Sequence, residues 1–183
     1  MAQTSVNLPV PLGSDDKCIQ VMAYTATSIC MGDVVLKEKL RGSTWLRTNS
    51  APDNLCIYNA RVLNVLNNGA AKQLLFPEIH ISVAQINIFH MVPPAQDPLD
   101  YDPKEPNRRM EPISIVCDTF RIDGLMRMST QASLAKYVEV TREPYTSLYD
   151  AEISCLLVPA LGIFKVPYVI VRQAISMFAT RPA

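Results

Sequence analysis

The sequence predicts a mainly β protein: two tandem copies of a small five-stranded β-barrel or sandwich domain, each with one short helical turn, joined by a Pro-rich linker. Three observations predict it. Hydrophobic residues make up 49% of the 183 residues and charged residues only 19%, which excludes general disorder. Runs of β-branched and apolar residues recur with turn residues between them. The third is an internal repeat, the strongest signal in the chain.

In the repeat, Thr27-Ser28-Ile29-Cys30-Met31-Gly32 aligns with Thr119-Phe120-Arg121-Ile122-Asp123-Gly124, and Trp45-Leu46 with Tyr137-Val138. Further on, Ile57-Tyr58-Asn59-Ala60 aligns with Leu148-Tyr149-Asp150-Ala151, and Phe76 with Phe164. Pro94 and Pro182 close the two copies. The boundaries follow as an extended arm at 1–18, a first β domain at 19–94, a linker at 95–112 and a second β domain at 113–183.

Each copy reads the same way. Ile19–Cys30 and Ile113–Ile122 are strands, leading to hairpin turns expected at Gly32 and Gly124, where glycine accepts a positive φ. Return strands Asp33–Leu36 and Leu125–Met128 follow. Thr130–Val140 carries Leu134, Tyr137 and Val138 at helical spacing, with Ser129-Thr130 able to cap it. Its counterpart Arg41–Asn49 contains Gly42 and is expected to form no more than a single turn. Leu55–Val65 and Leu148–Leu157 alternate as strands, and Asn67-Asn68-Gly69 is a hairpin signal. Ile79–Ile88 alternates over its whole length and reads as a long last strand, matched by Tyr168–Met177. Five strands and one helical turn in about 70 residues suit a small closed barrel or sandwich. Between the copies, Pro93, Pro94, Pro98, Pro103, Pro106 and Pro112 deny a helix its donors, so the segment is expected to be extended, acidic and solvated.

Phe120-Arg121-Ile122-Asp123-Gly124-Leu125, Leu134-x-x-Tyr137-Val138, Ser147–Ile153 and Val166-Pro167-Tyr168-Val169-Ile170-Val171 form one pattern. It resembles a bacterial family of small β domains of unknown function that occur singly or in tandem. The resemblance implies fold and repeat and carries no catalytic residue with it. It is closer for the second copy; the first has Asn59 where an acidic residue is usual. By strand count alone the units are also similar to Sm-like and SH3-like barrels, an analogy of fold that implies no chemistry.

Chemistry is sparse. Cys18, Cys30, Cys56, Cys117 and Cys155 form no C-x-x-C pair and sit among apolar neighbours, which reads as reduced structural thiols in a cytoplasmic protein. His80 and His90, the two histidines, lie in no metal-binding motif and read as ordinary strand residues. There is no G-x-S-x-G and no glycine-rich phosphate loop. Asp97, Asp100, Asp102, Glu105 and Glu111 lack the spacing of a calcium loop and read as a solvated linker. Asp150 and Glu152 alternate onto one strand face, but Asn59 and Arg61 stand in their place in the first copy, which argues against a duplicated carboxylate dyad. No catalytic, cofactor-binding or metal-binding residue is nominated, and no cofactor is expected.

Seventeen basic residues balance seventeen acidic ones, so no global field draws nucleic acid or an anionic membrane. Arg41 and Arg47 flank Trp45, and Lys136 precedes Tyr137, but aromatics at matching positions in both copies are what core packing produces. No signal peptide and no apolar run long enough for a membrane helix is read, and peripheral attachment to a membrane complex stays open. The expectation is a non-enzymatic protein-interaction or structural accessory subunit of a larger assembly, partnered by another protein or by itself as a homo-oligomer. The alternative is an Sm-like nucleic-acid or nucleotide-binding regulator.

Overall fold

A computed structural model describes residues 8, 11–48, 50–66 and 73–181. The Asn67-Asn68-Gly69 turn, Pro9 and Val10 of the arm, and Pro182 lie outside the described residues. Ten strands carry the fold: β1 (Asp16–Tyr24), β2 (Ser28–Lys37), β3 (Asn54–Asn64), β4 (Gln73–Ser82), β5 (Ile88–Met91), β6 (Arg108–Cys117), β7 (Phe120–Ser129), β8 (Tyr145–Cys155), β9 (Ile163–Arg172) and β10 (Ser176–Thr180). They form one open antiparallel sheet in the order β10-β6-β7-β8-β9-β5-β1-β2-β3-β4. The run β5-β1-β2-β3-β4 repeats the order of the run β10-β6-β7-β8-β9. What the sequence divides at 95–112, the sheet joins, because β5 pairs with β9.

Several boundaries shift. Strand β1 starts at Asp16, inside the expected arm, and β6 starts at Arg108, inside the expected linker. Pro112 is tolerated there because the Pro112 carbonyl, and so its missing N–H, faces the side where β10 runs out: Arg181 N–H donates to Pro112 O at 3.2 Å. The long last strands are each broken in two. A 3-10 turn at Val83–Gln85 separates β4 from β5, and one at Gln173–Ile175 separates β9 from β10. One such turn carries the chain from one edge of its five strands to the other. Three residues are too few to disturb the alternation seen in sequence.

Gly32 and Gly124 are not turns. They lie inside β2 and β7, at matching register shifts against β3 and β8. The extra residues are Asn59 and Asp150, with φ of 50° and 48°. Each shift is a β-bulge, which bends the strands and increases their twist. The glycines are there for close approach. A Cβ on Gly32 would lie 2.5 Å from Tyr58 O and 2.6 Å from Ile57 Cγ2, and one on Gly124 would lie 3.1 Å from Tyr149 O. The hairpins turn elsewhere, at 25–27 and at Asp118-Thr119, where Asp118 has φ 50°.

The ladders also revise the repeat alignment. Ala60 pairs with Phe76, whereas Ala151 pairs with Val166 and Phe164 with Ile153. Phe76 therefore corresponds to Val166, not to Phe164. The helical segments follow expectation in kind. Trp45–Arg47 is a single 3-10 turn, and the one α-helix among the described residues, α1, spans Leu134–Val140. Its cap is Ser133 rather than Ser129-Thr130, the Ser133 hydroxyl accepting from Lys136 N–H at 3.2 Å.

Two hydrophobic cores form. One gathers Val34, Leu36, Leu46, Leu55, Ile57, Ile86 and their neighbours in the first five strands. The other gathers Ile115, Phe120, Ile122, Met126, Leu148 and Ile153 in the second five. Gly32→Ala should lower stability by about 2–4 kcal/mol, since the methyl meets backbone rather than a movable side chain. Gly124→Ala should cost less, its nearest contact being looser. Urea denaturation of the two variants beside the wild type gives the comparison; a smaller loss for Gly32→Ala would contradict the bulge geometry.

Candidate functional site

The sheet offers two kinds of place where strands meet or fail to meet: the inner joint between β5 and β9, and the outer edges β4 and β10. At the joint only Ile88–Val171 and Phe89–Ile170 pair in the ladder. All four side chains have 0% exposure. Alternation sends them both ways. Ile88 and Val171 enter the core of the second five strands, and Phe89 and Ile170 enter the core of the first. Strand β1 behaves likewise, with Val21 and Ala23 in one core and Met22 and Tyr24 in the other. The middle of the sheet is thus buried on both faces.

Polar contacts reinforce the joint. Arg172 Nε donates to Ile86 O at 3.0 Å, and Arg172 Nη2 donates to Val83 O and to Tyr145 Oη. The guanidinium lies 4.7 Å from the centre of the Tyr145 ring, whose hydroxyl donates to Ile86 O at 2.9 Å. His90, the next residue after Phe89 in β5, is 1% exposed. Met91 O can only accept, so His90 Nδ1–H donates to it at 2.9 Å, and Nε2 accepts from Tyr24 Oη at 2.9 Å. Burial lowers the His90 pKa from its ordinary 6.5 to about 4, so the ring is neutral.

The linker is not a free solvated strap. Asp97 Oδ2 accepts from Ser43 N–H at 2.8 Å and from the Ser43 hydroxyl at 2.7 Å. Asp100 accepts from Tyr149 Oη at 2.6 Å and Tyr168 Oη at 3.3 Å, with Arg47 at 3.8 Å. Tyr101 stacks edge-on against Tyr149 and lies under the Arg127 guanidinium. Glu105 is paired with Arg108 and Arg127, whose hydrogen bonds hold its carboxyl below the usual range. These residues read as an acidic segment in sequence. In the fold they are the acceptors that tie the crossing chain to both halves.

Among the described residues no strand pairs with the outer side of β4 or of β10. In β4, Leu74, Leu75 and Phe76 are exposed, and Met177 in β10 is 67% exposed. Next to this edge, Cys56, Glu78 and His80 bring their ligand atoms within 4.8 Å of one another, a grouping invisible in sequence because the β3–β4 ladder makes it. A thiol, a carboxylate and an imidazole are donors suited to zinc. Here His80 Nε2 and Glu78 Oε1 are bonded to each other at 2.5 Å, and burial raises the Cys56 pKa, which opposes the thiolate a metal needs.

The remaining sequence candidates fall out as structure. Trp45 is buried, its Nε1–H donating to Ser50 O at 3.2 Å, and Tyr137 Oη shares a 2.9 Å hydrogen bond with Thr146 Oγ1. Arg47 is engaged by Glu143, Ser147 and Tyr168. The bulge at Asp150 breaks its alternation with Leu148, which is buried while Asp150 is exposed; Asp150 and Glu152 stay on the open side of β8, where Glu152 pairs with Lys165 at 2.8 Å. The five cysteines are free, with Cys30, Cys117 and Cys155 buried. No helix among the described residues is long and apolar enough to cross a membrane. No protein-family model, curated protein or solved structure matches the chain.

Two outcomes follow from the joint. Arg172→Ala leaves the Val83 and Ile86 carbonyls without their charged donor and should cost about 2–3 kcal/mol in urea denaturation; a loss below about 0.5 kcal/mol would show that the arginine is incidental. For His90, an unfolded ring takes up its proton near pH 6.5 and the folded one near 4. The folded state binds fewer protons in that window, so stability falls as pH drops from 6.5 towards 4, by about 3 kcal/mol in all. His90→Gln should flatten the stability–pH slope there by about one proton; an unchanged slope would place the titration elsewhere.

Proposed function

We propose that the chain is a non-enzymatic structural subunit, a duplicated small β unit that enters a larger assembly through its open strand edges. The observation that carries this reading is the contrast between joint and edges. The same kind of strand that is paired inside the chain has no described strand beside it at β4 and β10, and exposes apolar side chains there. Exposed strand edges template pairing with another chain unless they are blocked. The repeated strand order supports the duplication, with each run of five strands standing for one copy of the unit.

The nucleic-acid reading draws less support. Arg47, Arg108, Arg109, Arg121, Arg127 and Lys165 are each paired with a carboxylate, so they present little uncompensated positive charge to a phosphate backbone. Tagged chain purified from its native source should retain a protein partner that Met177→Asp or His80→Asp releases. Mobility shift with RNA and DNA at low salt should show no binding. Salt-dependent nucleic-acid binding with no edge-dependent protein partner would overturn the proposal in favour of the regulator.

A further inference from the structure

We infer that copies of this chain pair head to tail, β10 of one against β4 of the next, in the register that β5 and β9 already use inside each chain. The inference rests on the interaction reading above and names the partner as a second copy.

Val21 pairs with Gly32 as Ile113 pairs with Gly124. Two residues on, Ala23 meets Phe89 as Ile115 meets Phe178, so β10 stands to the second five strands as β5 stands to the first. Both phenylalanines pack towards the core of their own half. On the other side, Tyr58 pairs with Glu78 as Tyr149 pairs with Tyr168, which makes β4 the counterpart of β9. The chain thus contains one β5–β9 contact and carries, at its two ends, the unused halves of a second.

Transferring the inner register gives the outer one. Ile88–Val171 becomes Met177–Ile81, and Phe89–Ile170 becomes Phe178–His80. Exposure agrees with the transfer. Ile88 is fully buried in the joint, while Met177 in the same role is the second most exposed large apolar side chain of the described residues. Pro77 and Pro167 hold the same place in β4 and β9. Strand β5 covers only the part of β9 beyond Pro167, and Pro77 leaves the matching stretch Glu78–Ser82 open. The contact is heterologous, so it propagates into a ring or a filament rather than a twofold dimer. His80 stands where Ile170 does, and Ser82 where Arg172 does, so the outer contact lacks part of the inner one's apolar surface and all of its arginine clamp.

Light scattering after size exclusion, on the full chain from about 1 to about 200 μM, should show mass above one chain that grows with concentration. Met177→Asp and His80→Asp each place a carboxylate where the joint is dry, and each alone should weaken association at least about 100-fold. Both positions are exposed, so at a dilution where the wild type is monomeric the thermal midpoints should match. The decisive arm is the mixture: Met177→Asp keeps a native β4, His80→Asp keeps a native β10, and together they should form a heterodimer and nothing larger. A wild type that stays monomeric at the highest concentration overturns the inference. So does either variant associating alone, which would mean β4–β4 or β10–β10 pairing. A monomer that still captures another protein in an edge-dependent way overturns self-pairing while the interaction reading stands; a monomer that captures none overturns both.

Discussion

Burial on both faces at the centre of the sheet is the constraint on which the rest depends. A strand in an antiparallel sheet usually shows one face to a core and the other to water. Here Ile88, Phe89, Ile170 and Val171 divide between two cores, and β1 does the same with Val21, Met22, Ala23 and Tyr24. Neither core is complete without residues from the other half: Tyr145 and Ile170 belong to the first, and Met22, Tyr24, Ile29, Val65 and Ile88 to the second. The halves share a repeated strand order, yet each leans on the other for its packing.

The linker adds a second constraint. A crossing segment with this many prolines could be a loose tether. Asp97 and Asp100 instead accept from Ser43 on one side and from Tyr149 and Tyr168 on the other. Proline stiffness and carboxylate acceptors act together, since a chain with few conformations to lose is cheap to fix in one. The acidic character that looked like solvation is spent on hydrogen bonds within the fold.

Much of this architecture was legible. The β class, the single helical turn near Trp45 and the helix at Leu134–Val140 follow from alternation, from Gly42 and from the spacing of Leu134, Tyr137 and Val138. The repeat showed through Gly32 and Gly124, though for a different reason than expected, because a glycine needed for close approach looks the same in sequence as one needed for a turn. Phe76 and Phe164 were misaligned because aromatic identity is weaker evidence than ladder register. The 3-10 turns at Val83–Gln85 and Gln173–Ile175 hid inside unbroken alternation. The joint could not be read at all. Nothing in Ile88-Phe89 or Ile170-Val171 says which strand of the other half will lie beside it, and the Cys56, Glu78, His80 grouping is likewise a product of pairing.

The joint has a thermal consequence. It holds only two ladder pairs, yet it removes four large apolar side chains wholly from water. Its cohesion is therefore mostly hydrophobic, with the Arg172 clamp as a polar supplement. Such cohesion near room temperature is entropic and fades on cooling, while added sulfate strengthens it. The apolar part of the seam therefore contributes less in the cold and more in added sulfate, so cooling shifts its balance towards the Arg172 contacts.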